Sequence, residues 1–108
     1  MMEIRIYTDM QGYAPFEYWL RELTDTKARA RISARIARLE AGNFGDCKPL
    51  REGVLELRID HGPGYRVYLS RQGTVMVLLL CGSDKADQDR AIGQAIDYLK
   101  DWKQRGKP

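Results

Sequence analysis

Apolar and polar positions alternate near the start of the chain, Ile4 and Ile6 against Arg5 and Tyr7, which is the period of a half-buried strand. Gly12 and Pro15 mark a turn, with Pro15 suited to the first position of a helix. Phe16, Trp19, Leu20 and Leu23 then recur at i, i+3, i+4 and i+7, which predicts an amphipathic helix. Thr24-Asp25-Thr26 breaks that helix and can cap the next. The second helix carries Ala28, Ile32, Ile36 and Leu39 on one stripe and stops at Gly42, a C′ glycine. So short a link predicts that the two helices pair antiparallel.

The period then falls to two. Leu55, Leu57 and Ile59 alternate with Glu56, Arg58 and Asp60. His61-Gly62-Pro63-Gly64 supplies a turn, and Tyr65, Val67 and Leu69 alternate with Arg66, Tyr68 and Ser70. After Arg71-Gln72-Gly73, residues 75–80 are apolar throughout, as in a central strand covered on both faces. A last helix over residues 86–103 aligns Ile92, Ile96 and Leu99, with Tyr98 and Trp102 nearby. The order predicts one α+β domain over residues 1–108, a small antiparallel sheet with a helical pair on one face and a C-terminal helix.

Composition narrows the class. With 44% hydrophobic and 31% charged residues over 108 positions, the chain is globular and too short for a second domain or a barrel enzyme. No apolar run approaches the roughly 20 residues of a membrane span. Met1-Met2-Glu3-Ile4-Arg5 lacks a signal-peptide pattern, so no membrane partner and a cytoplasmic setting are expected. Cys47 and Cys81 fit reduced thiols in core or strand positions better than a disulfide framework. The single histidine, the widely separated cysteines and the scattered carboxylates show no metal-ligand spacing, and no glycine loop opens a helix to hold a nucleotide. No metal and no cofactor are therefore expected. Asp84, Asp87 and Asp89 read as acids complementing the dipole of the last helix.

Lys plus Arg number 18 against 15 Asp plus Glu, a formal charge of only +3. The distribution is uneven. Lys27, Arg31, Arg35 and Arg38 fall at spacings of four, four and three, a ridge beside the apolar stripe of the second helix. Like charges at i, i+4 repel, so the ridge points to phosphate contacts, or else to a solvated face that borrows acids elsewhere or meets an acidic protein. The strand pattern puts Glu56, Arg58, Arg66 and Tyr68 on one sheet face, a set that suits a phosphate and a stacked base, or simple cross-strand Glu–Arg pairing. Lys85, beyond Cys81-Gly82-Ser83-Asp84, can bring an ammonium to that face, and Lys48 can approach it from the other side.

These residues also carry a resemblance. Residues 16–23, Gly42-Asn43-Phe44-Gly45-Asp46, Glu56-Leu57-Arg58-Ile59, Gly62-Pro63-Gly64-Tyr65-Arg66-Val67-Tyr68, residues 78–82, Asp84-Lys85 and Gln88-Asp89 together resemble the HigB-like "addiction module killer" branch of the RelE/ParE toxin superfamily. The resemblance runs over nearly the whole chain, and the Gly-Pro-Gly-Tyr-Arg-Val-Tyr segment is its most specific part. It implies a compact RelE-like fold with a curved antiparallel sheet, and the toxin of a bacterial type II toxin–antitoxin system. RelE-like members cleave messenger RNA on the ribosome and are blocked by a cognate antitoxin, in this branch a helix-turn-helix protein. Operator DNA is then met only through the toxin–antitoxin complex. Arg66 matches the arginine of the family's Tyr-Arg-Val motif. Arg58 matches the basic residue of the preceding strand with a one-residue difference in hairpin length, and Lys85 the basic residue after the last strand. Some relatives end in a tyrosine near the site; here Tyr98 belongs to a helix, and that role is not carried over to it.

The implied chemistry is metal-independent: a ribose 2′-OH attacks the adjacent phosphorus, leaving a 2′,3′-cyclic phosphate and a 5′-OH. It requires a base, an acid and stabilisation of the phosphoryl oxygens. Arg58 and Arg66 suit the last task. Lys85 can add charge or protonate the leaving oxygen, and Lys85 or Lys48, crowded by cations, can serve as base. His61, the only histidine, and Glu56 are the other candidate bases, although pairing with an arginine makes Glu56 less basic and His61 reads equally as a turn residue. Two other readings stay open: a ParE-like toxin without nuclease chemistry that acts on DNA gyrase, and a non-toxic module that binds nucleic acid or a protein partner.

Overall fold

The computed structural model describes residues Met1–Pro108. Its elements are β1 (Glu3–Ile6), α1 (Pro15–Glu22), α2 (Thr26–Glu40), β2 (Cys47–Pro49), β3 (Leu55–Ile59), β4 (Tyr65–Gln72), β5 (Met76–Asp84), a 3-10 turn (Lys85–Asp87) and α3 (Gln88–Gln104). The five strands form one sheet in the order β1-β5-β4-β3-β2. The fold is α+β, as the pattern predicts. Pro15 opens α1, and Asp25 caps α2 by accepting from the backbone N–H groups of Lys27 and Ala28 at 3.0 and 3.1 Å.

The layering differs from expectation. The sheet is mixed, because β1 runs parallel to β5 while the other pairings are antiparallel. A parallel neighbour needs a crossover, and the α1–α2 segment together with β2–β4 supplies it. The short strand β2, polar and ending in Pro49, gives no period-two signal. Nor do α1 and α2 pack mainly on each other: the close neighbour of α1 is β5, and α2 lies toward β1. Val75 is exposed in the turn before β5, so the fully apolar stretch begins one residue later than expected.

The two sheet faces are both covered. Phe16, Ala28, Ile32 and Leu39 from α1 and α2 bury Leu57, Ile59, Val67, Leu69, Val77 and Leu79. On the opposite face, Ala91, Ile92, Ala95, Ile96, Leu99 and Trp102 of α3 cover Tyr68, Met76, Leu78, Leu80 and Cys81. Leu80 and Cys81 point the same way because the register with β4 slips there: Tyr68 pairs with Cys81 but Leu69 with Leu79. Beyond this bulge Gly82 faces α1. A Cβ on Gly82 would sit 2.2 Å from Cε3 of Trp19, so the indole ring occupies the space a side chain would need. Gly82→Ala is therefore expected to displace Trp19 and destabilise the fold by about 1–3 kcal/mol, as overpacking does. Urea unfolding followed by tryptophan fluorescence checks it.

Candidate functional site

β3 and β4 deliver the site. Their register sets Arg58 directly opposite Arg66, and Arg66 opposite Ser83 of β5. Two like charges facing each other across a ladder destabilise a sheet unless something offsets them. Glu56 does so. Its side chain is 0% exposed, and Oε1 accepts from Arg58 Nε at 3.1 Å while lying 3.8 Å from Arg66 Nε. Its other oxygen, Oε2, accepts from Gln88 Nε2 at 2.6 Å.

Lys85 joins this pair through the backbone. Its N–H donates to the carbonyl of Gly64 at 2.8 Å, fixing the start of the 3-10 turn against the β3–β4 hairpin. Gly64 has φ +83°, and a Cβ there would lie 3.5 Å from Cβ of Lys85 and 3.6 Å from Nη1 of Arg66. Glycine satisfies both the left-handed backbone and the close approach of the two cationic side chains. The result is a cleft of about 320 Å³ lined by Asp46, Arg58, Asp60, Gly62, Pro63, Gly64, Arg66 and Lys85, with no hydrophobic residue among them.

The arginines are presented unequally. Arg66 is 12% exposed and donates from Nη1 to the carbonyl of Tyr65 at 3.1 Å, while its buried Nε has no hydrogen-bond partner. Arg58 is 37% exposed. Between them they keep several N–H donors uncommitted in a cleft of polar walls, which is what a phosphate or other oxyanion requires.

The expected residues divide accordingly. Arg58, Arg66 and Lys85 come together. Glu56 belongs to the cluster but is sealed from solvent by the strands and by Gln88, so it anchors the arginines and is not placed to accept a substrate proton. Tyr68 is not a stacking platform: it is 0% exposed beneath α3, its hydroxyl lies 3.2 Å from Ser83 Oγ, and burial pushes the phenol up to about 12. His61 does not line the cleft. Its Nε2 donates to Asp25 Oδ2 at 3.0 Å, tying the hairpin to the N-terminus of α2. Lys48 is exposed on β2, paired in register with Glu56, and lies outside the cleft lining.

On the α2 ridge, Lys27, Arg31 and Arg38 are exposed, but Arg35 is committed to backbone. It donates from Nη1 to the carbonyl of Arg58, and from Nη2 to those of Phe44 and Asp46 at 3.2 and 3.1 Å. It braces the loop behind the cleft. Arg31, Arg35 and Arg38 line a second cavity of about 280 Å³ with Asp60, which also borders the cleft. Asp46 and Gln88 stand among the residues that carry the resemblance, and Asp60 alternates with the apolar positions of β3, but the sequence assigns none of the three a place in the site. Gln88 has one readable signal, its place three residues after Lys85 and so on the same side of a helical turn.

Asp25, outside the cleft, makes the fold sensitive to acid. The Ala28 N–H, then the His61 ring, hold its carboxyl below the usual range. A folded value below the unfolded one means stability that is present above the ordinary aspartate pKa and lost as pH falls through the lowered value. Asp25→Ala is thus expected to reduce stability at neutral pH and to match wild type in strong acid, which urea titrations at the two pH values test.

Cys81 is buried with its thiol 3.7 Å from the carbonyl of Ala91, and burial pushes it up to about 12. No three His, Cys, Asp or Glu side chains converge as a metal-holding group. No helix is long and apolar enough to cross a membrane.

No protein-family model matches the chain. A protein of Haemophilus influenzae strain Rd, described as an uncharacterized protein, is 52% identical over 94 residues, covering 87% of this chain and 91% of the relative. That identity over nearly the full length of both proteins makes this chain a member of the family of the Haemophilus protein.

Proposed function

We propose that the protein is the toxin of a type II toxin–antitoxin system, a metal-independent endoribonuclease that cuts messenger RNA on the ribosome. The observation that carries this reading is the convergence of Arg58, Arg66 and Lys85 in one predominantly polar cleft. The resemblance to the addiction module killer branch supplies the substrate class. In this reading the two guanidiniums bind the scissile phosphate and stabilise charge on its oxygens. Lys85 protonates the leaving 5′ oxygen. With Glu56 sealed and His61 engaged elsewhere, the proton acceptors that line the cleft are the carboxylates of Asp46 and Asp60; one of them takes the 2′-OH proton as that oxygen attacks phosphorus, and the ribosome aligns the 2′-OH. Lys27, Arg31 and Arg38 bind nucleic acid outside the cleft. A helix-turn-helix antitoxin covers the basic surface, and the protein works in the cytoplasm.

The test is transcript 5′-end mapping after induction of wild type, Arg66→Ala and Lys85→Ala, with gyrase-trapped DNA breaks scored in parallel. New 5′ ends within coding regions that vanish in both variants support the reading. Gyrase-linked breaks without message cleavage, or cleavage unchanged in both variants, overturn it.

A further inference from the structure

The carboxylate of Glu56 has two oxygens and divides them between two parts of the fold. Oε1 serves the arginines, at 3.1 Å from Arg58 Nε and 3.8 Å from Arg66 Nε. Oε2 serves Gln88, whose Nε2 donates at 2.6 Å from the first residue of α3. The terminal torsion of a glutamate side chain is soft and roughly two-fold, so a bond to one oxygen leaves the carboxylate free to swing. Bonds to both oxygens, from opposite sides, fix its plane. Because Glu56 is 0% exposed, water does not replace a lost partner at Oε2 cheaply.

Gln88 itself does not line the cleft. It reaches the arginines only through Glu56, and it is a neutral donor, so it leaves the charge of the cluster unchanged. Its own anchorage is firm, since the next turns of α3 bury Ala91, Ile92 and Ala95 against the sheet. Gln88 therefore links the helical layer to the position of the two guanidiniums.

We infer that Gln88 is a positioning residue: by holding the second oxygen of Glu56, it sets the Arg58 and Arg66 guanidiniums in the geometry that receives the phosphate. The role of that geometry in RNA cleavage rests on the reading proposed above, but the ordering of the arginines does not. Loss of Gln88 frees the carboxylate, and the guanidiniums then sample several arrangements. Displacements of about 1 Å at a reacting centre cost up to ~100-fold in rate.

The experiment uses the full chain labelled for arginine side-chain NMR. Gln88→Met keeps length and removes the donor; Gln88→Ala removes the donor without bulk, should the first variant fail to fold; Gln88→Lys restores a donor. Solvent exchange of the Arg58 Nε–H is expected to rise about tenfold in the Met and Ala variants and to return toward wild type in Lys, with melting temperatures of the Met and Ala variants lowered by roughly 5–10 °C, still folded at the assay temperature. In a ribosome cleavage assay, kcat falls by about tenfold in the Met variant while KM stays within about twofold. Wild-type exchange in every variant, or equal acceleration in Met, Ala and Lys, overturns the inference. If wild type cuts no message, the nuclease reading fails, and the exchange rates still decide the role of Gln88.

Discussion

Glu56→Ala is expected to lower the melting temperature by about 10–20 °C, corresponding to on the order of 3 kcal/mol for a chain of this size. The carboxylate is fully buried, and Arg58 and Arg66 face each other across the β3–β4 ladder with Glu56 as their shared counter-charge. Removing one member of a buried ionic group leaves the remainder uncompensated, which is costlier than the group was favourable. The cost sits at the lower end of the range for such deletions because Arg58 remains 37% exposed and can recover hydration. Arg66 cannot do so to the same extent. Adding Arg66→Ala to Glu56→Ala is accordingly expected to restore part of the loss. The pair should show a coupling free energy of about 1–3 kcal/mol in a double-mutant cycle measured by calorimetry.

The second large effect is on rate. Arg66→Ala is expected to reduce message cleavage on ribosomes by about 10²–10³-fold, the usual result of removing one charge-stabilising donor from a transition state. Arg66 is the better held of the two arginines, pinned by the Tyr65 carbonyl and packed beside Gly64 and Lys85. Its Nε is buried on the side of Glu56, whereas Nη2 makes no hydrogen bond within the protein and keeps its donors for a phosphate. Arg66→Lys should recover little, because an ammonium lacks the planar fork and does not fill the same space. Folding stability, measured alongside, should move less than in Glu56→Ala, since the carboxylate keeps Arg58 and Gln88 as partners.

Much of the fold is written in local periodicity. The stripes of α1 and α2 and the alternation of β3 and β4 state their own faces, and the alternation alone places Glu56, Arg58, Arg66 and Tyr68 on one side of the sheet. What it does not state is which face the apolar stripe of α3 will choose, a matter of tertiary packing. That choice buries Tyr68 and seals Glu56, changing a stacking ring and a candidate base into core and anchor. Arg35 shows the same limit in a smaller way. Its spacing puts it on the basic ridge, but only the path of the Phe44–Asp46 loop commits its guanidinium to backbone carbonyls. The Arg58–Arg66–Lys85 group is legible because strand register and the end of β5 fix it. Gln88 is not, since its partner is thirty-two residues away.

The slip between Leu80 and Cys81 makes β5 two strands in series with opposite phase. Before it, even-numbered residues such as Leu78 and Leu80 meet α3; after it, Cys81 does, and Ser83 meets the Tyr68 hydroxyl on the same face. Counting therefore governs chemistry. A deletion of Leu80 that healed the ladder would carry the Leu55–Ile59 and Tyr65–Gln72 hairpin forward unchanged while restoring one phase throughout β5. Because Leu69 already pairs with Leu79 and Tyr68 with Cys81, the loss of that one residue would leave Asp84 opposite Tyr65 and Lys85 at its place beyond it, whereas an insertion after the slip would push the ammonium off the hairpin. The two halves of the strand can accept substitutions independently, and the slip holds one residue in reserve: the strand can lose it and keep its end in place, but cannot gain another beyond it.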